Sequence, residues 1–82
     1  MRYRITIKPR AFKDLEHLPK RDSARILDKI EAMSDNLSGD VKHLTNHTPK
    51  YRLRVGNWRI LFEIEQETII VYRIISRDKA YQ

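Results

Sequence analysis

The second half of the chain alternates between apolar and polar residues in three short segments, and this alternation constrains the fold more than any other feature. The segments are 51–55, 58–65 and 68–75, separated by the dipeptides Gly56-Asn57 and Gln66-Glu67. A period of two is typical of half-buried β-strands, and a two-residue separation such as Gly-Asn is typical of a hairpin turn. The pattern therefore predicts a three-stranded antiparallel meander.

The first half of the chain predicts one further strand and two helices. Residues 2–7 alternate strictly, and apolar residues then recur at helical spacing in 9–18 and in 20–37, with a break at Pro19. The segment 39–49 has no period and is predicted to be an irregular connection. The two helical stripes contain Phe12, Leu15 and Leu18, and then Ile26, Leu27, Ile30, Met33 and Leu37.

The resulting element order, β-α-α-β-β-β, belongs to the α+β class. We expect a single domain over residues 1–82. Its sheet should be small, four-stranded and mainly antiparallel, and the helical hairpin should pack on one face of it.

Alternation also assigns the side chains of the strands to the two faces of this sheet. The face under the helices is expected to hold Tyr51, Leu53, Val55, Trp58, Ile60, Phe62, Ile64, Ile70, Tyr72 and Ile74. The other face is expected to hold Arg2, Arg4, Arg52, Arg54 and Arg59, with Leu61, Ile69 and Val71 among them. Plain solvation would also suit arginines, which cover apolar neighbours well. Because this face has few carboxylates, mainly those of Glu63 and Glu65, we interpret it as an anion-binding surface.

The overall charge agrees with that interpretation. The 82 residues include 17 Lys and Arg against 11 Asp and Glu, a formal net charge of +6. The pI near 9.9 meets the criterion for a candidate nucleic-acid binder. No apolar run approaches the ~18 residues that a membrane-spanning helix needs, and the chain opens on a strand pattern, so the expected location is the cytoplasm.

Several kinds of chemistry are not supported by the residues present. The chain has no cysteine, which excludes disulfides and thiolate sites. His43 and His47 lack a third ligand, so we expect no metal site, and two glycines cannot build a phosphate-binding loop. No serine lies in a nucleophile elbow. No cofactor is expected.

Cleavage of RNA without a metal fits the remaining arginines, lysines and tyrosines. RNA carries its own nucleophile, the 2′-hydroxyl, which attacks the adjacent phosphate when the two are held in line. Guanidinium groups match phosphate geometry and can offset the charge that develops during attack. A tyrosine can stack on a base or hydrogen-bond to it.

Nearly the whole chain resembles RelE of the RelE/ParE toxin superfamily. The resemblance rests on the element order, on the segment YRLRVGNWRILFEI at 51–64 and on the ending SRDKAY at 76–81. It implies a toxin of a type II toxin–antitoxin system that blocks translation. Such toxins cut mRNA in the ribosomal A site by 2′-hydroxyl attack, leaving a 2′,3′-cyclic phosphate and a 5′-hydroxyl. The implied partners are a RelB-like antitoxin, the ribosome and mRNA, with no membrane.

The resemblance also implies roles for individual residues. The two basic positions of the second strand fall on Arg52 and Arg54, the arginine that stabilises the transition state on Arg59, and the C-terminal pair on Arg77 and Tyr81. These five are the candidate catalytic residues. The candidate RNA-binding residues are Arg52, Arg54, Lys50, Arg2, Arg4 and Lys79.

This chain departs from RelE at one point, because RelE has lysines where Arg52 and Arg54 stand. Arginine, with a pKa above about 12, is a poor general base. The proton acceptor is therefore open between Lys50, Lys79, water and ribosomal RNA.

Two other functions remain open from the sequence. One is a ParE-like inhibitor of DNA gyrase, and the other is an inactive relative that only binds its antitoxin. In each case we expect part of the antitoxin to dock on Leu61, Ile69 and Val71.

Overall fold

Within residues 1–80, five strands form one sheet, and two helices cover one of its faces. The computed structural model of the chain describes residues 1–80, so Tyr81 lies outside the described residues. In chain order the elements are β1 Arg4–Ile7, α1 Pro9–Glu16, α2 Lys20–Ala32, β2 Val41–His43, β3 Tyr51–Val55, β4 Trp58–Glu65 and β5 Thr68–Ser76. The sheet order is β1-β5-β4-β3-β2, with β1 parallel to β5 and every other pair antiparallel. The predicted α+β class is confirmed.

The predicted boundaries are wrong at two places before β3. The segment expected to be irregular contains β2, which pairs with β3, so the sheet has five strands rather than four. Helix α2 ends at Ala32 instead of Leu37. Asn36 and Leu37 adopt positive φ angles of 57° and 58°, which a right-handed helix does not allow.

The core lies between the helices and the sheet. Ala11 and Leu15 of α1 and Ile26 and Ile30 of α2 are buried against one sheet face. That face contributes Leu53, Val55, Ile60, Phe62, Ile69, Val71 and Ile74. Burial stabilises the fold by about 1.5–3 kcal/mol for each large apolar side chain.

Two members of the predicted helical stripes are not in this core. Phe12 is 52% exposed and Leu27 is 41% exposed. Ala11 occupies the buried position of α1 beside Phe12, and Ile26 does the same in α2 beside Leu27. The sheet therefore covers a narrower part of each helix surface than the apolar residues of the sequence predicted.

A β-bulge at Tyr72 changes the faces of β5. Leu61 pairs with Arg73, but the next residue, Phe62, pairs with Val71, so Tyr72 has no partner on β4. An extra residue shifts every side chain on one side of it to the opposite face. Ile69 and Val71 consequently lie in the core, fully buried, although alternation predicted them on the other face. Ile70 and Tyr72 are displaced from the predicted core and are only partly buried.

Helix α1 also protects an edge of the sheet. Strand β1 pairs with residues 68–71 of β5, and no other strand of the described residues 1–80 borders the later part of β5 on that side. Oδ2 of Asp14 in α1 accepts hydrogen bonds from the backbone N of Ile74 and from Nε of Arg73, both at 2.8 Å. The edge amide is thus paired within the chain and is not available to another strand.

Candidate functional site

The β3–β4 hairpin brings three arginines together on the face of the sheet that the helices leave open. In this hairpin Arg54 pairs with Arg59, and Arg52 pairs with Leu61. Residues directly opposite each other on antiparallel strands project to the same face. We call this surface the open face and define it by Arg4, Thr6, Arg52, Arg54, Arg59, Leu61 and Arg73.

Asp40, which immediately precedes β2, lies between two of these arginines. Nη1 of Arg52 donates to the backbone O of Asp40 at 2.7 Å and to its Oδ1 at 3.2 Å. Nε of Arg54 lies 2.7 Å from Oδ2 of the same carboxylate. One negative charge therefore faces two positive charges, and a net positive charge remains.

These contacts act on the protonation of Asp40. The hydrogen bond from Arg52 is the largest cause that holds the pKa of the Asp40 carboxyl below its ordinary value, and the charges of Arg54 and Arg52 act in the same direction. Partial desolvation opposes them. The carboxylate is ionised at neutral pH and restrains both guanidinium groups.

Asp40 is not among the predicted site residues, because the segment around it has no period and was predicted to be irregular. The backbone N of Arg54 donates to O of Asp40 at 3.0 Å, which continues the pairing of β2 with β3. Had the short β2 been recognised, this pairing would have placed an acidic residue beside the arginines of β3.

Arg59 is held by the hairpin itself. Its Nη1 donates to the carbonyl oxygens of Gly56 and Trp58 at 2.9 Å and 3.1 Å, and the residue is only 6% exposed. Carbonyl oxygens satisfy the donors without cancelling the positive charge. Arg59 therefore contributes a fixed, largely buried cation at the position paired with the exposed Arg54.

The segment after β5 returns to the same hairpin turn. The backbone N of Arg77 donates to O of Asn57 at 2.8 Å, so Arg77 lies at the hairpin end of the sheet, with its side chain exposed. Lys79 follows and lines a cavity of about 310 Å³ with Trp58 and Ser76. Tyr81 falls beyond the described residues.

The other predicted RNA-binding residues lie farther away. Arg4 pairs with Thr68 at one end of β5, whereas Ile75, opposite Arg59, is at the other end. Seven residues of strand separate these two positions, a span of about 23 Å. Arg2 lies before β1, and its backbone forms an isolated antiparallel β-bridge with that of Asp35.

Lys50 occupies an intermediate position on the open face. Its backbone N donates to Oε2 of Glu63 at 2.9 Å, one residue before β3 begins. Arg54, Arg59 and Arg77 therefore lie at the hairpin end of the sheet, Arg52 lies two residues farther from the turn, and Arg2 and Arg4 lie elsewhere.

The two histidines considered as metal ligands, His43 and His47, both contact nearby residues of the chain. The ring of His43 meets that of Tyr51 edge to face, with centroids 5.0 Å apart, and Nδ1 of His47 lies 2.8 Å from O of Pro49. Across residues 1–80, no three His, Cys, Asp or Glu side chains cluster closely enough to hold a metal ion. No helix within this range is long and apolar enough to cross a bilayer.

Comparison with known proteins agrees with this architecture. Residues 5–81 match the family model described as the ParE toxin of the type II toxin–antitoxin system parDE. A protein of Methanocaldococcus jannaschii named Toxin RelE3 is 36% identical over 74 residues, which cover 84% of each chain.

Solved structures show the same similarity. The chain superimposes with a TM-score of 0.76 and 32% identity on a chain of the RelB–RelE antitoxin–toxin complex from Methanococcus jannaschii, covering 94% of this chain and 95% of the other. A chain of the toxin–antitoxin complex RelBE2 from Mycobacterium tuberculosis gives a TM-score of 0.81 at 23% identity, with 94% and 100% covered. The second comparison supports the fold alone.

Proposed function

The chain belongs to the RelE/ParE superfamily of toxins from type II toxin–antitoxin systems, and from that premise we propose that it is a ribosome-dependent, metal-independent endoribonuclease that cuts mRNA. The observation that carries this proposal is the set of arginines at the hairpin end of the open face. Arg54 is exposed there and pairs with the buried Arg59 across the hairpin, and the exposed Arg77 follows β5 at the same end of the sheet.

This arrangement suits the charge changes of phosphodiester cleavage. When the 2′-oxygen attacks the phosphorus, negative charge develops on the non-bridging oxygens. The bond to the 5′-oxygen breaks as the cyclic phosphate forms, and the departing 5′-oxygen takes up a proton to give the 5′-hydroxyl. Cations that are already oriented stabilise this charge without reorganising during the reaction. Arg54 is oriented by Asp40 and Arg59 by two carbonyl groups, so both are restrained before any RNA binds.

Arg52 has a supporting role in this proposal. Its side chain is only 12% exposed and is held by Asp40, so it contributes charge and shape more than direct contact with RNA. Because neither Arg52 nor Arg54 readily releases a proton, the acceptor for the proton of the 2′-hydroxyl is one of Lys50, Lys79, water and ribosomal RNA. The ribosome also supplies alignment that a shallow surface does not.

The test compares Arg54→Ala and Arg77→Ala with Arg4→Ala in cleavage of ribosome-bound mRNA. Loss of one oriented charge-stabilising group lowers the rate by about 10²–10³-fold, and we expect an effect of that order at Arg54 and Arg77. Arg4→Ala removes the same charge about 23 Å away along the strands and should change the rate little. Arg59→Ala is less informative, because it also removes two hydrogen bonds from the hairpin.

Full toxicity of folded Arg54→Ala and Arg77→Ala variants would contradict the assignment of the site. Intact transcripts throughout growth arrest, as mapped by primer extension in cells that express the toxin, would contradict the nuclease itself.

A second candidate is a ParE-like inhibitor of DNA gyrase, and the family model that matches the chain favours it. In this reading the Asp40-bound arginines form a protein-binding surface, and no reaction is needed. Supercoiling by purified gyrase separates the two candidates. Inhibition of supercoiling, together with uncleaved mRNA, would favour this candidate.

The partner that we propose is a RelB-like antitoxin, since the similar chain from Methanococcus jannaschii is part of a RelB–RelE antitoxin–toxin complex. A net charge of +6 favours an acidic binding segment. The apolar docking patch expected from the sequence is wrong, because Ile69 and Val71 are in the core and Leu61 is 5% exposed.

A further inference from the structure

The β-bulge places an aromatic ring on the open face, away from the arginines at the hairpin end. Tyr72 is partly buried, and Nζ of Lys8 lies 5.7 Å from the centroid of its ring. The core does not cover this ring face, and the lysine over it has a flexible side chain. Because that side chain can move aside, another group can reach the same ring face. Nothing in the proposed cleavage reaction uses this tyrosine.

The ring lines a mainly apolar cavity of about 570 Å³ that opens on this face. The residues around it include Lys8, Pro9, Arg10, Pro49, Glu63 and Tyr72. A cavity of this size lies within the ~300–1,000 Å³ of small-molecule sites. Prolines and an aromatic ring offer flat apolar surface, and the charged groups lie around them.

We propose that this cavity binds one base of the RNA substrate, stacked on the ring of Tyr72. The inference rests on the proposed function and adds a nucleotide-binding subsite to it. Stacking on an aromatic side chain suits any base, because every base has a π-face. The carboxylate of Glu63 can accept a hydrogen bond from an exocyclic amino group of the base.

The charges around the cavity fit a nucleotide better than a purely apolar group. Lys8, Arg10 and Arg73 line the cavity, and Arg73 is paired with Asp14 at 2.8 Å. Lys8 has a long, flexible side chain that can turn from the ring to a phosphate oxygen. The ring of Tyr72 can then stack on the base, and the ammonium group of Lys8 can bind the phosphate of the same nucleotide.

The position of the cavity also fits the cleavage site. Tyr72 lies three residues before Ile75, the residue paired with Arg59. Three residues of strand span about 10 Å, or about three nucleotides at the ~3.4 Å rise of a stacked strand. One RNA strand can therefore reach from the ring of Tyr72 to the arginines across the open face.

The experiment uses a short 2′-O-methyl RNA with 2-aminopurine at one position, which cannot be cleaved because it lacks the 2′-hydroxyl. Its fluorescence is titrated with the parent protein and with Tyr72→Leu and Tyr72→Phe. Stacking quenches 2-aminopurine, so we expect quenching with the parent protein and with Tyr72→Phe. For Tyr72→Leu we expect loss of quenching and binding at least about fivefold weaker, equivalent to ~1 kcal/mol for a stacked base.

A second measurement does not depend on how the variants fold. In the parent complex, nuclear Overhauser effects should connect base protons of the RNA with ring protons of Tyr72. Their absence in a saturated complex would overturn the inference, and so would parent-like binding and quenching by Tyr72→Leu. Unchanged RNA binding with lost antitoxin affinity in Tyr72→Leu would assign the cavity to a protein partner and overturn it as well.

The outcomes also separate this inference from the nuclease proposal. A parent protein that stacks the oligonucleotide on Tyr72 but leaves ribosome-bound mRNA intact refutes the nuclease and keeps the subsite. A parent protein that cuts mRNA, with Tyr72→Leu unchanged in cutting and in binding, refutes the subsite alone.

Discussion

Nε of Arg54 lies 2.7 Å from Oδ2 of Asp40, and both side chains are substantially exposed, at 56% and 44%. An exposed ion pair of this kind contributes little to stability, because solvent screens its charges. Its more important effect is geometric, because it restrains an arginine whose charge is otherwise available to an anion. Asp40 is therefore both a support for the arginines and a competitor of any phosphate that approaches them.

Removing the charge of Asp40 should strengthen RNA binding. In Asp40→Asn, two guanidinium groups lose their carboxylate, so we expect tighter binding of a non-cleavable RNA and a salt dependence steeper by up to about one unit of log K against log[salt]. Fluorescence anisotropy over a series of KCl concentrations measures both. Asp28→Asn on the exposed surface of α2 makes the same change in net charge, and an equal effect there would show that the position of Asp40 is irrelevant.

Acid should remove the stabilising effect of Asp40. The hydrogen bond from Arg52 is the main reason that the pKa of this carboxyl lies below 3.8, its ordinary value. A lowered pKa stabilises the folded chain above the unfolded pKa, and this stabilisation is lost as the pH falls through the folded pKa. The Tm difference between the parent protein and Asp40→Asn should be constant between about pH 7 and pH 5 and shrink below about pH 4. A difference that grows on acidification would contradict the assignment.

The bulge at Tyr72 predicts losses of stability of different size at two adjacent isoleucines. Ile69 is fully buried in the core, whereas Ile70 is on the open face and partly exposed. Ile69→Ala should cost about 2–5 kcal/mol, and Ile70→Ala clearly less. In a domain of this size, each kcal/mol lowers Tm by roughly 4–8 °C, which thermal unfolding followed by circular dichroism resolves. The reverse order would mean that β5 alternates without interruption.

The two glycines should differ in their tolerance of alanine. At Gly39, with φ +125°, an added Cβ would lie 2.9 Å from Cδ1 of the buried Leu53. At Gly56, with φ +58°, the nearest atom would be Nη1 of Arg25 at an ordinary 3.5 Å. Gly56→Ala should cost about 1–2 kcal/mol for its left-handed backbone. Gly39→Ala should lower the free energy of unfolding by about 1–3 kcal/mol more than Gly56→Ala, because the buried side chain of Leu53 must shift to make room for the new Cβ. Equal losses of stability in urea unfolding would contradict the predicted close contact.

Most of the strand order and the hairpin were predictable from sequence, because their signals are local. Strands β3 and β4 have the predicted bounds, and Gly56 turns the chain with a positive φ of 58°. Alternation around this turn is enough to put Arg52, Arg54 and Arg59 on one face, since a two-residue hairpin sets the register of its strands.

The faces of β5 could not be read in the same way. Residues 69–71 are Ile, Ile and Val, so either register presents apolar side chains to the core, and local pattern does not choose between them. The choice is made by pairing with β1 and β4, where Ile69 lies opposite Ile5 and Ile64. Tyr72 then has no partner on β4 and forms the bulge.

The amino-acid sequence by itself determined the α+β class, the hairpin and the placement of Arg52, Arg54 and Arg59 on one face of it. Periodicity and turn chemistry act between residues that are close in sequence, so they can be recognised there. Only the tertiary structure decided which groups meet those arginines. Asp40 reaches Arg52 through the pairing of β2 with β3, and Arg77 reaches Asn57 when the chain returns after β5. Contacts between residues far apart in sequence depend on how the elements pack, and no local pattern records that.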